Sequence, residues 1–172
     1  MLQVSEKEIE NRLRLDNPWW QTGGGIEPDY RGFHRRAYLG DFSNLVREEV
    51  SRAVVLLGPR RVGKTILVYH AIQDLMDKQG VSGRDIMYVS LETPLYTGLS
   101  LESLVSRFQR LFQRPEGTRL FVFFDEIQYL KGWEVHLKSL VDSYRGIRFV
   151  ATGSAAAALK TKSAESVAGR FT

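Results

Sequence analysis

The stretch LLGPRRVGKT, residues 56–65, decides how the rest of the chain is read. Two glycines, a lysine and a hydroxyl follow directly on an apolar run, a spacing that no packed core requires. The run leading into it, AVVLLG at residues 53–58, has the length and glycine-bounded apolarity of a strand buried in a parallel sheet. Downstream, Leu67, Ala71 and Leu75 form one stripe with Val68, Ile72 and Met76 beside it. That pattern predicts a helix from about Lys64 to Gln79, stopped by Gly80. A strand, a glycine-bearing turn and a helix in this order aim backbone N–H groups and a positive dipole end at one spot.

Outward from this stretch the alternation continues. DIMYVSLE, RLFVFFDE and IRFVATGS read as three further strands. Between them, Ser100 caps a helix whose Leu101, Leu104, Val105, Phe108, Leu111 and Phe112 make a wide apolar face. Trp133, Leu137, Leu140, Val141 and Tyr144 define another, and the alanine-rich segment from Ala155 begins as a helix. Strands alternating with helices predict a mostly parallel sheet covered on both faces, an α/β three-layer sandwich. Ahead of it, Ser5 and Glu8 have capping-box spacing before Ile9 and Leu13, which predicts a short helix. DNPWWQTGGGIEPDY is a loop whose Trp19 and Trp20 are too apolar to stay fully exposed, and a second short helix is expected at about 44–50.

Gly58, Pro59, Arg60, Arg61, Val62, Gly63, Lys64 and Thr65 fit G-x-x-x-x-G-K-[ST], with Ile66 continuing the helix. Consecutive backbone N–H groups can surround the phosphates of a nucleoside triphosphate only where the chain bends tightly, which the glycines permit. Lys64 is placed to meet the β- and γ-phosphates and the Thr65 hydroxyl to bind Mg²⁺. Such a loop requires an apolar strand ending in a metal-binding acid, and LFVFFDE supplies Asp125. Glu126, directly after it, is positioned to polarise a water in line with the γ-phosphate, a general-base role. In an open α/β sheet ligands sit beyond the carboxyl ends of the strands, so Thr152 and Ser154 in ATGS arrive near the γ-phosphate. Ser154 serves equally as the N-cap of the segment that follows.

Together GPRRVGKT, FVFFDEIQYLKGWEVHLKSLVD, VATGS and ESVAGR, with NPWW upstream, resemble the ASCE division of phosphate-loop ATPases, the branch that includes AAA+ and STAND proteins. The nearer resemblance is to prokaryotic AAA-type ATPases that carry a C-terminal nuclease-like domain. It implies ATP and Mg²⁺ as cofactors, and an arginine finger at Arg170, whose other reading is a helix C-terminal arginine complementing the dipole. Gln128 and Trp133 also match family positions, Trp133 more in the manner of a core anchor. Relatives have a five-stranded sheet ordered 5-1-4-3-2. This chain is expected to show 1-4-3-2 with the fifth strand missing, as a core truncated before the lid and C-terminal domain. The expected division is residues 1–50 as a helical and loop segment flanking the nucleotide site and 51–172 as the ATPase core. An apolar first strand left at the sheet edge invites pairing with another copy or partner chain, or coverage by the N-terminal segment.

The remaining composition narrows the alternatives. The chain of 172 residues carries a net charge of +4 and no cysteine, which excludes disulfides, thiol nucleophiles and Cys-based zinc sites. An acidic N-terminus without an apolar core region and apolar runs too short to span a bilayer predict a cytoplasmic protein without membrane contact. Arg31, Arg35 and Arg36, interleaved with aromatics, offer a nucleic-acid surface, a solvated face, or an adenine wall with Tyr30, Phe33 or Tyr38. His34, His70 and His136 lack metal-ligand spacing. The expected function is Mg²⁺-dependent ATP binding and hydrolysis serving a conformational switch. The alternative is a nucleotide-gated binding module with little turnover, with or without nucleic acid; Glu126 argues against a small-molecule kinase.

Overall fold

The computed structural model describes residues 4–156. Four strands, β1 (Val54–Gly58), β2 (Ile86–Ser90), β3 (Leu120–Asp125) and β4 (Ile147–Ser154), form one sheet in the order β1-β4-β3-β2. All three pairings are parallel, so the expected order is met. The register aligns their carboxyl ends. Gly58 lies opposite Ser154 and Leu56 opposite Thr152, while Phe124 opposite Ala151 brings Asp125 level with Thr152. Ser90 in turn faces Asp125. Every residue of β3 is buried, as its uninterrupted apolar run requires for a central strand.

Helix α1 (Glu6–Asp16) opens with the predicted capping box between Ser5 and Glu8. Helix α4 (Lys64–Gln79) runs from Gly63 to Gly80, both in the left-handed region. Ser100 caps α5 (Leu101–Phe112), and α6 (Trp133–Ser143) begins after Gly132. Two elements depart from expectation. Pro28–Gly32 forms α2, because Pro28 at the first helical turn starts a helix within what composition marks as loop. The helix expected at 44–50 is α3 (Leu39–Arg47), displaced upstream: Leu39, Phe42 and Val46 supply its buried face.

The sheet edges are treated differently. Coverage by the N-terminal segment is one of the two expectations for β1, the other being another chain; residues 17–20 of that segment lie instead on β2, at the opposite edge. Asn17, fully buried, donates from Nδ2 to the Tyr88 carbonyl at 2.9 Å and accepts the Tyr88 N–H on Oδ1 at 2.6 Å. One amide side chain thereby satisfies both groups that Tyr88 turns away from β3, as a neighbouring strand would. The Trp19 and Trp20 indole N–H groups both donate to the Ile86 carbonyl, at 3.1 and 2.7 Å. Trp20 stacks on Phe108 of α5 with ring centroids 5.8 Å apart. Gly83 permits this approach, since a Cβ there would lie 2.2 Å from the Trp19 carbonyl oxygen. The NPWW signature is thus an edge cap. β1 remains an edge, with Leu57 42% exposed.

Candidate functional site

The loop between β1 and α4 alternates backbone hands: Arg61 has φ 60° and Gly63 φ 89°. Gly63 then leads straight into α4, so the N–H groups of the first helical turn face the concavity. Lys64 is 7% exposed, and its ammonium donates back to the Gly58 and Pro59 carbonyls at 3.2 and 2.6 Å. Pro59, Arg60, Arg61 and Val62 are exposed, while Gly58, Gly63, Thr65 and Ile66 are half-buried. An unpredicted contact joins them. Arg36 donates to the Val62 carbonyl at 3.2 Å, and its guanidinium occupies the space a Cβ on Gly63 would approach.

Asp125, 2% exposed, is the convergence point. The Thr65 hydroxyl donates to Oδ2 at 2.7 Å and the Tyr88 hydroxyl donates to the same oxygen at 2.7 Å. The Thr152 hydroxyl donates to Oδ1 and accepts the Glu126 N–H at 3.1 Å. Glu126 itself adopts φ 53°, a left-handed conformation uncommon for a non-glycine residue and concentrated at functional sites. Its carboxylate accepts from Gln128 Nε2, while Gln128 Oε1 accepts the Ser154 N–H at 3.1 Å. The site therefore brings together Gly58, Lys64, Thr65, Asp125, Glu126 and Ser154. Arg170 lies outside the described residues.

The donor set suits a magnesium ion. Thr65 and Asp125 offer hard oxygens from two elements already in contact, and Mg²⁺ takes one or two protein ligands with water and phosphate oxygens completing the shell. Among the described residues no group of three or more acidic, histidine or cysteine side chains could hold a metal ion.

The arginine-rich segment is largely committed elsewhere. Arg31 donates to Gln73 at 3.1 Å, and Arg35 pairs with Asp74 at 2.8 Å. Desolvation raises the Asp74 pKa, but its hydrogen bonds and charge interactions with Arg35 and Lys78 outweigh it, leaving the carboxyl below its ordinary range. Tyr30 stacks on Tyr69 at 4.6 Å, and Phe33 and Tyr38 are exposed. His70 binds the Tyr30 carbonyl at 2.7 Å. Sequence reasoning missed Tyr88 and the Gln128 bridge. The register of β2 against β3, which puts a phenol on a neighbouring strand's carboxylate, has no local signal; Gln128, two residues after Glu126, had one.

No helix among the described residues is long and apolar enough to cross a membrane. A protein of Haemophilus influenzae described as uncharacterized is 29% identical over 120 residues, covering 68% of this chain. This chain spans 29% of that relative's length. Among solved structures, Caenorhabditis elegans PCH-2 superposes on 67% of this chain and 36% of its own, with a TM-score of 0.46 and 17% identity. Rhizobiales Trip13 covers 85% of this chain and 58% of its own, with a TM-score of 0.44 and 15% identity. Neither likeness adds to what the sheet order and loop geometry give. The decisive match is to the AAA domain family over residues 50–172, which includes β1, the glycine loop and the acidic end of β3; this chain belongs to that family.

Proposed function

We propose that this chain binds ATP with Mg²⁺ and hydrolyses it, using the cycle as a conformational switch. One observation carries the reading: the Thr65 hydroxyl and the buried Asp125 carboxylate meet at 2.7 Å beside the N-terminus of α4. Two oxygen ligands from elements 60 residues apart in sequence are held where the helix end favours an anion. Bound there, Mg²⁺ would neutralise phosphate charge. Lys64 would exchange its two loop carbonyls for phosphate oxygens, keeping its charge-assisted hydrogen bonds. Glu126 would take the proton of the attacking water, and Thr152 fixes its backbone. The Ser154 N–H, bound through Gln128 to that carboxylate, ties the end of β4 to the state of the base. The output of the switch would be a change at that strand end passed to another domain or chain.

Phosphate release from ATP by the purified chain tests this. Glu126→Gln is expected to lower turnover by about 100-fold or more, with Mg²⁺-ATP affinity within about threefold of the parent. Equal turnover in both proteins sinks the assignment of the base. A second reading, nucleotide-gated binding with little turnover, has its own support in the Gln128 amide that occupies Glu126. It is favoured if the parent chain binds ATP and releases no phosphate.

A further inference from the structure

The side chains on Asp125 come from unequal sources. Thr65 and Thr152 belong to the loop-helix and to the adjacent strand, both already part of the site. Tyr88 belongs to the edge strand β2, and its position is set from outside the sheet. Asn17 holds both its main-chain groups. On its ring packs Tyr69 of α4, with centroids 4.8 Å apart, and on Tyr69 packs Tyr30 of α2. The Tyr88 hydroxyl, buried beneath this stack, donates to Asp125 Oδ2 at 2.7 Å. A cleft of about 310 Å³, lined by Arg12, Asp16, Tyr30, Tyr69 and Ser90 among others, opens onto the same ring.

We infer that Tyr88 is a positioning residue for the metal-binding carboxylate, and that the N-terminal segment, through Asn17, belongs to the magnesium side of the nucleotide site. This rests on the proposed function and extends it to Tyr88, outside every motif, and to Asn17 of the NPWW signature. The physical argument is orientational. A carboxylate on a strand end can rotate about its terminal bond; hydroxyl donors on both oxygens remove that freedom before any ion arrives. Thr65 cannot do this alone, because its oxygen must itself face the ion. Tyr88 is left as the donor that keeps Oδ2 in place. Hydrogen-bond partners of metal-binding carboxylates typically change metal affinity by about 10–100-fold when removed.

The test is Tyr88→Phe, which deletes one oxygen and keeps the ring stack. Binding of a fluorescent ATP analogue is titrated in EDTA and then against rising Mg²⁺. The expected result is metal-free affinity within about twofold of the parent, with a Mg²⁺ requirement for half-maximal enhancement raised about tenfold. Asn17→Ala, acting through the backbone, is expected to move the Mg²⁺ requirement the same way by a smaller factor. In an Asp125→Asn background, Tyr88→Phe is expected to add no further shift, since the carboxylate it steers is gone. A merely structural tyrosine would lower the thermal midpoint and leave the Mg²⁺ requirement alone, which would overturn the inference. Should the parent chain bind the analogue, while Tyr88→Phe shows an unchanged Mg²⁺ curve, this inference fails and the nucleotide reading stands. A parent chain that binds no nucleotide under either condition overturns both.

Discussion

At the scale of single residues, the site is held ready by groups that satisfy one another. Lys64 would otherwise be a buried unpaired charge, and its two bonds to the Gly58 and Pro59 carbonyls remove that cost. The same bonds bend the loop into the shape that an anion would find. Exchange of carbonyl for phosphate oxygen therefore needs little rearrangement. Lys64→Ala is expected to weaken ATP-analogue binding by at least about tenfold, the loss of one or more charge-assisted hydrogen bonds. Its thermal midpoint should move by no more than a few degrees, because the freed Pro59 carbonyl lies on an exposed residue that water can reach. Calorimetric titration beside a melting curve checks both halves; a collapsed midpoint with retained affinity would mean that the lysine is chiefly structural. Glu126 differs in kind, since its left-handed backbone is a local strain that only the surrounding hydrogen bonds hold in place. Glu126→Gln leaves that backbone demand unaltered, so its effect on turnover reports on the carboxylate.

At the scale of elements, the least foreseeable contact is the one that seats α3. Arg148 of β4 is 3% exposed, and its hydrogen bonds go to main-chain carbonyls rather than to a carboxylate. Its guanidinium donates to the carbonyls of Leu45, Val46, Val50 and Arg52, collecting the end of α3 and the chain leading into β1. Burial holds its pKa below the usual guanidinium value, with the Arg119 charge adding to the effect and Glu48 opposing it, while the carbonyls at the end of α3 accept its hydrogen bonds. Arg148→Met keeps the length and apolar stem but strands those oxygens. It is expected to destabilise the fold by about 2–4 kcal/mol, read from the urea midpoint, with Arg148→Lys recovering part of that. A change under about 0.5 kcal/mol would show that water replaces the guanidinium without penalty. Such a contact marks where sequence reading stops. The strands and α4 were legible because apolar runs and helical stripes are local patterns, and Ser5 with Glu8 or the glycines around α4 are local punctuation; the strand order came from the family resemblance. Lys64 and Thr65 could be singled out from the spacing of the loop, and Asp125 from the acidic end of an apolar strand. Asn17 on Tyr88, Tyr88 on Asp125 and Arg148 on α3 join residues far apart in sequence, and each depends on a register that no single segment encodes.

At the scale of the whole molecule, the question is whether the N-terminal segment is an accessory or part of one cooperative body. Ile9, Leu13, Trp19, Trp20 and Ile26 belong to the same buried cluster as Phe108, Tyr88 and the strands. Removing their contribution would expose the edge of β2 together with the rings packed on it. Such interlocking predicts a single unfolding transition. The tryptophans allow a direct reading, because Trp19 and Trp20 report on the segment once Trp133 is replaced by Phe. In Trp133→Phe, urea unfolding followed by fluorescence and by far-ultraviolet circular dichroism should give coincident midpoints. Fluorescence melting at lower urea would show the segment detaching from an intact core. Ligand linkage sharpens the point. At about 100 times its dissociation constant, Mg²⁺-ATP stabilises a protein that binds it only when folded by about 2.7 kcal/mol. If Asn17 and Tyr88 join the segment to the nucleotide site, both signals must shift by that amount together. A dichroism midpoint that rises while the Trp19 and Trp20 signal stays behind would mean that the segment folds around β2 without sharing in the site's energetics.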